Sequence, residues 1–206
     1  MFRDIKTVLV TGGAGFIGSA LVRKLLKETN LMIFNIDKMG YASSINSVEK
    51  NSDEEINIKA SLRHKLIKLD LLERKKLIKT IDEVDPDLVI HFAAESHVDR
   101  SIRSPDTFVE SNIIGTFNLL ESVRMHFEKM QNDRKSSFKF HHISTDEVYG
   151  SLESSGFFNE NSIYDPRSPY SASKAASDHL VNAWHHTYGI PTITTNCSNN
   201  YGPWQY

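Results

Sequence analysis

Thr11-Gly12-Gly13-Ala14-Gly15-Phe16-Ile17-Gly18-Ser19 is the stretch whose reading decides the fold. A short apolar run, Val8-Leu9-Val10, precedes it, and an amphipathic segment, Ala20 to Lys27, follows. Strand, glycine turn and helix in that order make a dinucleotide site out of what would otherwise be an ordinary glycine-rich loop. Gly12 can adopt the positive φ of a tight turn. Gly15 leaves the backbone open to a pyrophosphate, and Gly18 lets the helix lie close to the strand. The helix N-terminus offers free N–H groups and a partial positive charge to phosphate. A second apolar run, Leu31 to Ile36, ends at Asp37, which lies 37 − 18 = 19 positions past the last glycine. An acid at that distance is placed to grip the ribose hydroxyls of NAD.

Composition sets the outer bounds. A chain of 206 residues is long enough for one α/β domain with a useful core. Its net charge of −2 gives no electrostatic case for nucleic acid or a membrane surface. The single cysteine, Cys197, excludes an internal disulfide framework and suits a reducing cytoplasm. No apolar run is long enough to span a bilayer, and MFRDIK leads into the first strand without the pattern of a signal peptide. Gly202-Pro203-Trp204-Gln205-Tyr206 is turn-like and leads to no closing helix, so a longer parent chain is expected.

Strand and helix patterns alternate along the chain. Lys38 to His64, with its charged tract Glu49 to Glu55, reads as a helical or looped excursion. Lys65 to Leu69 reads as a strand ending at Asp70. Leu72 to Val84 carries helix-spaced apolar residues and stops at Asp85-Pro86-Asp87. Leu88 to Phe92 is a continuous apolar run, as a buried parallel strand should be. Pro105 to Lys129 reads as one long helix with Ser104 as its cap. Gln131 to Ser137 reads as a basic loop, and Phe138 to Ser144 as a strand. Pro169 to Tyr188 is a second long helix, ended by Gly189 and Pro191, and Thr192 to Asn196 is a last strand. The fold class expected is α/β: a Rossmann-type, doubly wound parallel sheet with helices on both faces. Ligands in such sheets bind outside the carboxyl ends of the strands. The loops there carry Gly12 to Gly18, Asp37, Asp70, Ala93 to Arg100, Thr145 to Tyr149 and Asn199 to Tyr201.

Two of these places carry reactive groups. Tyr170 and Lys174 are four apart in an expected helix and so share a face. A nearby ammonium favours phenolate, so Tyr170 can remove a hydroxyl proton while a hydride leaves the same carbon for nicotinamide. The plainer alternative is an amphipathic helix with a core tyrosine and a surface lysine. Ser144-Thr145-Asp146-Glu147 sets a hydroxyl and two carboxylates at a strand end. In a closed site one carboxyl can act as acid and its neighbour as base, which suits elimination of water. A capped surface turn accounts for the same residues equally well.

TGGAGFIGS, HFAAESHVDRSI, HHISTDEVYG, SPYSASKAASDHL and TNCSNNYGP together resemble the dTDP-glucose 4,6-dehydratases, members of the extended short-chain dehydrogenase/reductase family. The likeness runs from Thr7 to Tyr206. The resemblance implies NAD as cofactor and a nucleotide-sugar substrate. It implies cofactor contacts at Gly12, Gly15, Phe16, Ile17 and Gly18 for the pyrophosphate, at Asp37, Lys38, Met39 and Gly40 around the ribose, and at Asp70 and Leu71 for the adenine. Phe92, Ala93, Ala94, Glu95 and Ser96 would run along the cofactor, with Ser111, Tyr170, Lys174 and Asn200 adding contacts. Ser96, Thr145 and Asn199 would touch the sugar nucleotide. Tyr170, oriented with Lys174, would be the base for oxidation at C4, and Thr145 would hold the 4-hydroxyl. Glu147 would take the C5 proton, and Asp146 would protonate the departing C6 hydroxyl. The hydride then returns to C6, making the enzyme a lyase in deoxysugar and rhamnose biosynthesis.

Residues 1–206 would then be the NAD-binding domain with the catalytic residues, lacking the family's C-terminal substrate domain. Weak substrate affinity is expected at this length. The two long helices resemble the family's dimer-forming pair, so a cytoplasmic homodimer is expected. A sugar-nucleotide 4-epimerase on the same scaffold, and a non-catalytic NAD-binding module, are the alternatives. His141 and His142 lie in a strand without partners at metal spacing, so no metal is expected. Trp184 and Trp204 read as packing residues, and His185 and His186 as helix-end residues.

Overall fold

The computed structural model describes residues 5–49, 53–152 and 155–205. Six parallel strands form one sheet in the order β3-β2-β1-β4-β5-β6. The strands are β1 Thr7–Thr11, β2 Met32–Asp37, β3 His64–Lys68, β4 Leu88–His91, β5 Lys139–Thr145 and β6 Thr192–Cys197. Strand order reverses between β1 and β4, so a crevice opens outside their carboxyl ends. This is the doubly wound, Rossmann-type architecture that the alternating patterns imply.

Two apolar clusters cover the sheet. On one face α1, Phe16–Glu28, and α3, Glu54–Arg63, lay Val22, Leu26, Ile56 and Ala60 on Val8, Val10, Ile33 and Ile90. On the other, α4 (Arg74–Val84), α7 (Gly115–Lys129) and α9 (Pro169–Tyr188) pack Leu77, Ile81, Leu119, Val123 and Val181 on Leu9, Val89 and Phe140. Leu9 faces one cluster while Val8 and Val10 face the other, the two-residue period of a strand buried on both faces. β6 departs from this, for Ile193 to Thr195 are exposed where it forms the sheet edge. Helices on both faces therefore hold for β1 and β4 but not for β6.

The excursion after β2 holds α2, Asn46–Glu49, and α3, which Asp53 caps by accepting from the Glu55 N–H. Residues 50–52 of the charged tract expected there lie outside the described residues, as do residues 1–4 and Tyr206. Three readings need correction. The loop after β4 contains a short helix, α5, Val98–Arg103. Pro105 to Lys129 is not one regular helix: α6, Pro105–Phe108, passes into a π-helical turn, Val109–Ile114, before α7. Ser104 flanks its start without a side-chain cap, and its carbonyl instead accepts from the Thr107 hydroxyl. Gln131 to Ser137 is mostly helix, α8, Asn132–Ser137. Arg134 fixes it by ion pairs to Asp85 at 2.5 Å and Asp87 at 3.3 Å, partners that lie on the chain between α4 and β4.

Candidate active site

The glycine turn is built by sterics. Gly12 has φ of +73°, and a Cβ there would stand 2.6 Å from the Ala93 amide nitrogen. A Cβ on Gly18 would lie 2.3 Å from the Gly12 carbonyl oxygen. Only glycine allows β1, the turn and α1 to close this tightly. Gly15 is the N-cap of α1 and makes no side-chain cap, and Gly15 to Gly18 line the crevice, so the first turn of the helix faces it with its N–H groups uncapped among the described residues. That is the donor set a pyrophosphate needs.

Asp37, at the end of β2, is buried and already engaged. Its Oδ2 accepts from the Ala14 N–H at 3.0 Å, and its Oδ1 accepts from the Met39 N–H and the Ser43 hydroxyl, both at 2.8 Å. Beyond any ribose contact, Asp37 thus ties the glycine turn to the loop after β2. Asn35 helps, its Oδ1 accepting from the Gly13 N–H at 2.9 Å. A polar residue inside the apolar run Leu31 to Ile36 was the visible signal for it.

The crevice is a cavity of about 340 Å³. Its wall includes Gly12, Gly15, Phe16, Ile17, Gly18, Asp37, Lys38, Asp70 and Leu71 at one end. Phe92, Ala93, Ala94, Ser96, Ser111, Tyr170 and Lys174 continue it to the other. Ile36, Ala42, Ser43, Leu69, Ile143 and Gln205, given no contact by sequence reasoning, complete it with His97 and Ser144 from the loops already singled out. The expected positions Met39, Gly40, Glu95, Thr145, Asp146, Glu147, Asn199 and Asn200 stand outside this wall. Glu95 is instead paired with Lys38 at 2.7 Å, joining the loops after β4 and β2, and Arg100 lies 3.8 Å over the Tyr41 ring beside them. Asn199 and Asn200 are exposed; the Asn200 amide donates to the Ser198 carbonyl, and Asn200 O accepts from Gln205. A long, partly apolar crevice with a phosphate cradle at one end and Tyr170 at the other has the shape and donors of a dinucleotide site.

The reactive groups gather where β5 ends. Thr145 caps the 3₁₀ turn Asp146–Tyr149, its hydroxyl accepting from the Glu147 N–H at 3.2 Å, and its side chain favours the ionised form of Tyr170. Burial, and then the charge of Asp146, push the Glu147 carboxyl above its ordinary range. Lys174 is buried on α9, and its ammonium donates to the Ile143 carbonyl at 2.8 Å. Burial lowers Lys174 to about 8, against the opposing charges of Asp178 and Cys197. Tyr170 differs from expectation: burial, with Glu147, Asp146 and Asp178, pushes it up to about 12 and outweighs the opposing effect of Thr145. The phenol is therefore not activated by Lys174 alone. Among the described residues no cluster of histidine, cysteine and carboxylate could hold a metal ion, and no helix is long and apolar enough to cross a membrane. Trp184 packs edge-on against Phe117 and donates to Glu121, and His185 bonds the Ile190 carbonyl beyond the helix end.

Known proteins share this sequence and fold. The family model described as GDP-mannose 4,6 dehydratase matches residues 9–206. A dTDP-glucose 4,6-dehydratase of Neisseria meningitidis is 49% identical over 98% of this chain and 55% of its own length. A crystal structure of dTDP-glucose 4,6-dehydratase from Bacillus anthracis in complex with NAD superposes with a TM-score of 0.79 at 39% identity, over 98% of this chain and 57% of the other. The Streptomyces venezuelae dTDP-glucose 4,6-dehydratase, with NAD bound, superposes at 0.84 and 38%, over 97% and 58%. The chain thus spans about half the length of the relatives it matches. With the glycine cradle and the Tyr170–Lys174 pair on one crevice and residues 9–206 matched, the protein belongs to the GDP-mannose 4,6 dehydratase family.

Proposed function

We propose that this chain is the NAD-binding and catalytic half of a dTDP-glucose 4,6-dehydratase. The observation that carries the reading is the pair of adjacent carboxylates, Asp146 and Glu147, in the turn that Thr145 caps at the end of β5, with their charges acting on Tyr170. An oxidoreductase needs only Tyr170 and Lys174; loss of water needs an additional acid and base.

Gly12, Gly15 and Gly18, with the free N-terminus of α1, would hold the pyrophosphate, and Asp37 and Asp70 flank the adenosine end. Bound NAD supplies a hydride acceptor that later returns the hydride, and its oxidised ring brings a positive charge. That charge, beside the Lys174 ammonium, favours the Tyr170 phenolate that the protein alone disfavours. Tyr170 then takes the C4 hydroxyl proton, with Thr145 orienting the same hydroxyl. Oxidation at C4 acidifies C5. Glu147, raised by burial, is a stronger base than an ordinary carboxylate, and it takes the C5 proton. Asp146 protonates the C6 hydroxyl as it leaves. Ser96 and Asn199 are assigned to the sugar nucleotide. Met39, Gly40, Glu95 and Asn200 would reach the cofactor only if it extends beyond the crevice wall.

Glu147→Gln tests the assignment. It should still reduce the nicotinamide in a single turnover with dTDP-glucose, seen as absorbance, yet incorporate no solvent deuterium at C5. Deuterium incorporation at the unaltered rate would remove Glu147 from the role of base. We also propose a homodimer formed by α7 and α9, supported by the exposed Ile114 and Tyr188 near their ends, and a cytoplasmic setting that keeps Cys197 as a free thiol. A monomeric mass in solution at micromolar protein would contradict the dimer.

A further inference from the structure

Beneath the reactive groups lies a buried polar cluster that the proposed reaction does not use. Asp178 follows Lys174 by 178 − 174 = 4 positions on α9, so both point to the same side of the helix. Its carboxylate is 6% exposed. Oδ2 accepts from the Ser144 hydroxyl at 2.7 Å and from the Tyr164 hydroxyl at 2.9 Å. Oδ1 lies 3.1 Å from His142 Nε2. On β6, the Asn196 amide donates to the Thr145 carbonyl at 3.1 Å. One carboxylate thus reaches the end of β5 directly at Ser144, the residue before Thr145.

Charge gives the cluster a second purpose. The Lys174 ammonium is buried, with a single hydrogen bond to the Ile143 carbonyl. The groups that face it are Asp178 on its own helix, Cys197 on β6, and His91 and His142 on β4 and β5. Burial drives both histidines neutral, and it raises the Cys197 thiol. That leaves Asp178 as the anion opposing a buried cation, beyond ion-pair contact but inside the same low-dielectric region.

We propose that Asp178 is a positioning residue of the Tyr170–Lys174 pair, keeping the buried Lys174 charged and holding Ser144 and Thr145 in register with it. This rests on the reading of Tyr170 and Lys174 as the proton-accepting pair, but its test needs no turnover. Titrating the Lys174 side chain by carbon and nitrogen NMR, with the resonance assigned by its loss in Lys174→Met, reads its protonation directly. Asp178→Asn keeps the shape and should lower the midpoint by about one pH unit or more. Tyr164→Phe removes one hydrogen bond but not the charge, and should leave the midpoint in place. An unchanged midpoint in Asp178→Asn would overturn the proposal. If Asp178→Asn does not fold, the double variant Asp178→Asn/Lys174→Met decides. Recovery of the fold supports charge balance, and continued unfolding assigns Asp178 to packing alone. A shifted midpoint in a chain that never dehydrates its sugar would sink the dehydratase reading and leave this one intact.

Discussion

Gly18 is the residue on which the cofactor crevice is most tightly set, since any Cβ there meets the Gly12 carbonyl at 2.3 Å and Gly13 Cα at 2.9 Å. Both neighbours are backbone, so the turn itself must move. Gly18→Ala should therefore destabilise the chain by about 1–3 kcal/mol in urea unfolding and weaken NAD binding by at least about tenfold in calorimetry. Gly189 offers the contrast. It has φ of +70°, and a Cβ there would meet nothing within 4 Å, so Gly189→Ala should cost only about 1 kcal/mol and leave NAD affinity unaltered. Histidines set the acid limit. Burial holds His64 and His142 at about 4, and also lowers His91 and His126. A histidine whose folded pKa lies below its unfolded one takes a proton only on unfolding, so stability falls as pH drops below about 6.5. Each of the first two should cost roughly 3 kcal/mol by about pH 4. The melting temperature should decline through that window, and His64→Gln should flatten the decline. A melting temperature level from about pH 7 to pH 4.5 would contradict the buried, neutral histidines.

At the level of elements, α9 was legible in its bounds. Pro169 starts the helix and Gly189 in the left-handed conformation ends it, both read from the sequence, while the cap at Ser168, which accepts from the Ser171 N–H at 3.0 Å, is local but was not read. Ser168→Ala should cost about 1 kcal/mol. The π-helical turn was not legible, because its causes are distant in sequence. Asn112 takes the Glu95 N–H at 2.8 Å, donates to the Glu95 carbonyl at 3.0 Å and to Ser173 at 2.8 Å, and its own carbonyl accepts from Ser177 at 2.7 Å. The extra residue in that turn carries Asn112 between the loop after β4 and α9. Asn112→Ala should cost about 1–3 kcal/mol for each buried partner left unmatched, and the loss should show as a lower urea midpoint together with weaker NAD binding. α8 escaped the sequence reading for the same reason, since Arg134 finds its carboxylates nearly fifty residues away.

Across the whole molecule, the reversal of strand order between β1 and β4 decides what the chain can do, for it opens one crevice to the loops of β1, β2, β4 and β5. Hydrophobic runs and glycine spacing made that order readable. The Asp146–Glu147 pair was readable as residues but not as chemistry, since a capped turn and an acid–base site share the same letters. The structure shows the cap, with Thr145 accepting from the Glu147 N–H, and it sets both carboxylates where the Tyr170 phenol feels their charge. Spacing puts Tyr170 and Lys174 on one side of α9, but it does not show the burial that pushes the phenol up. The most direct measurement is incubation of the chain with NAD and a high concentration of dTDP-glucose, following the sugar by mass and by the absorbance of its keto form in alkali. A 4-keto-6-deoxy sugar lighter by one water is the expected product. An unchanged sugar with NAD bound, or a galactose-configured one of unchanged mass, would contradict the dehydratase assignment.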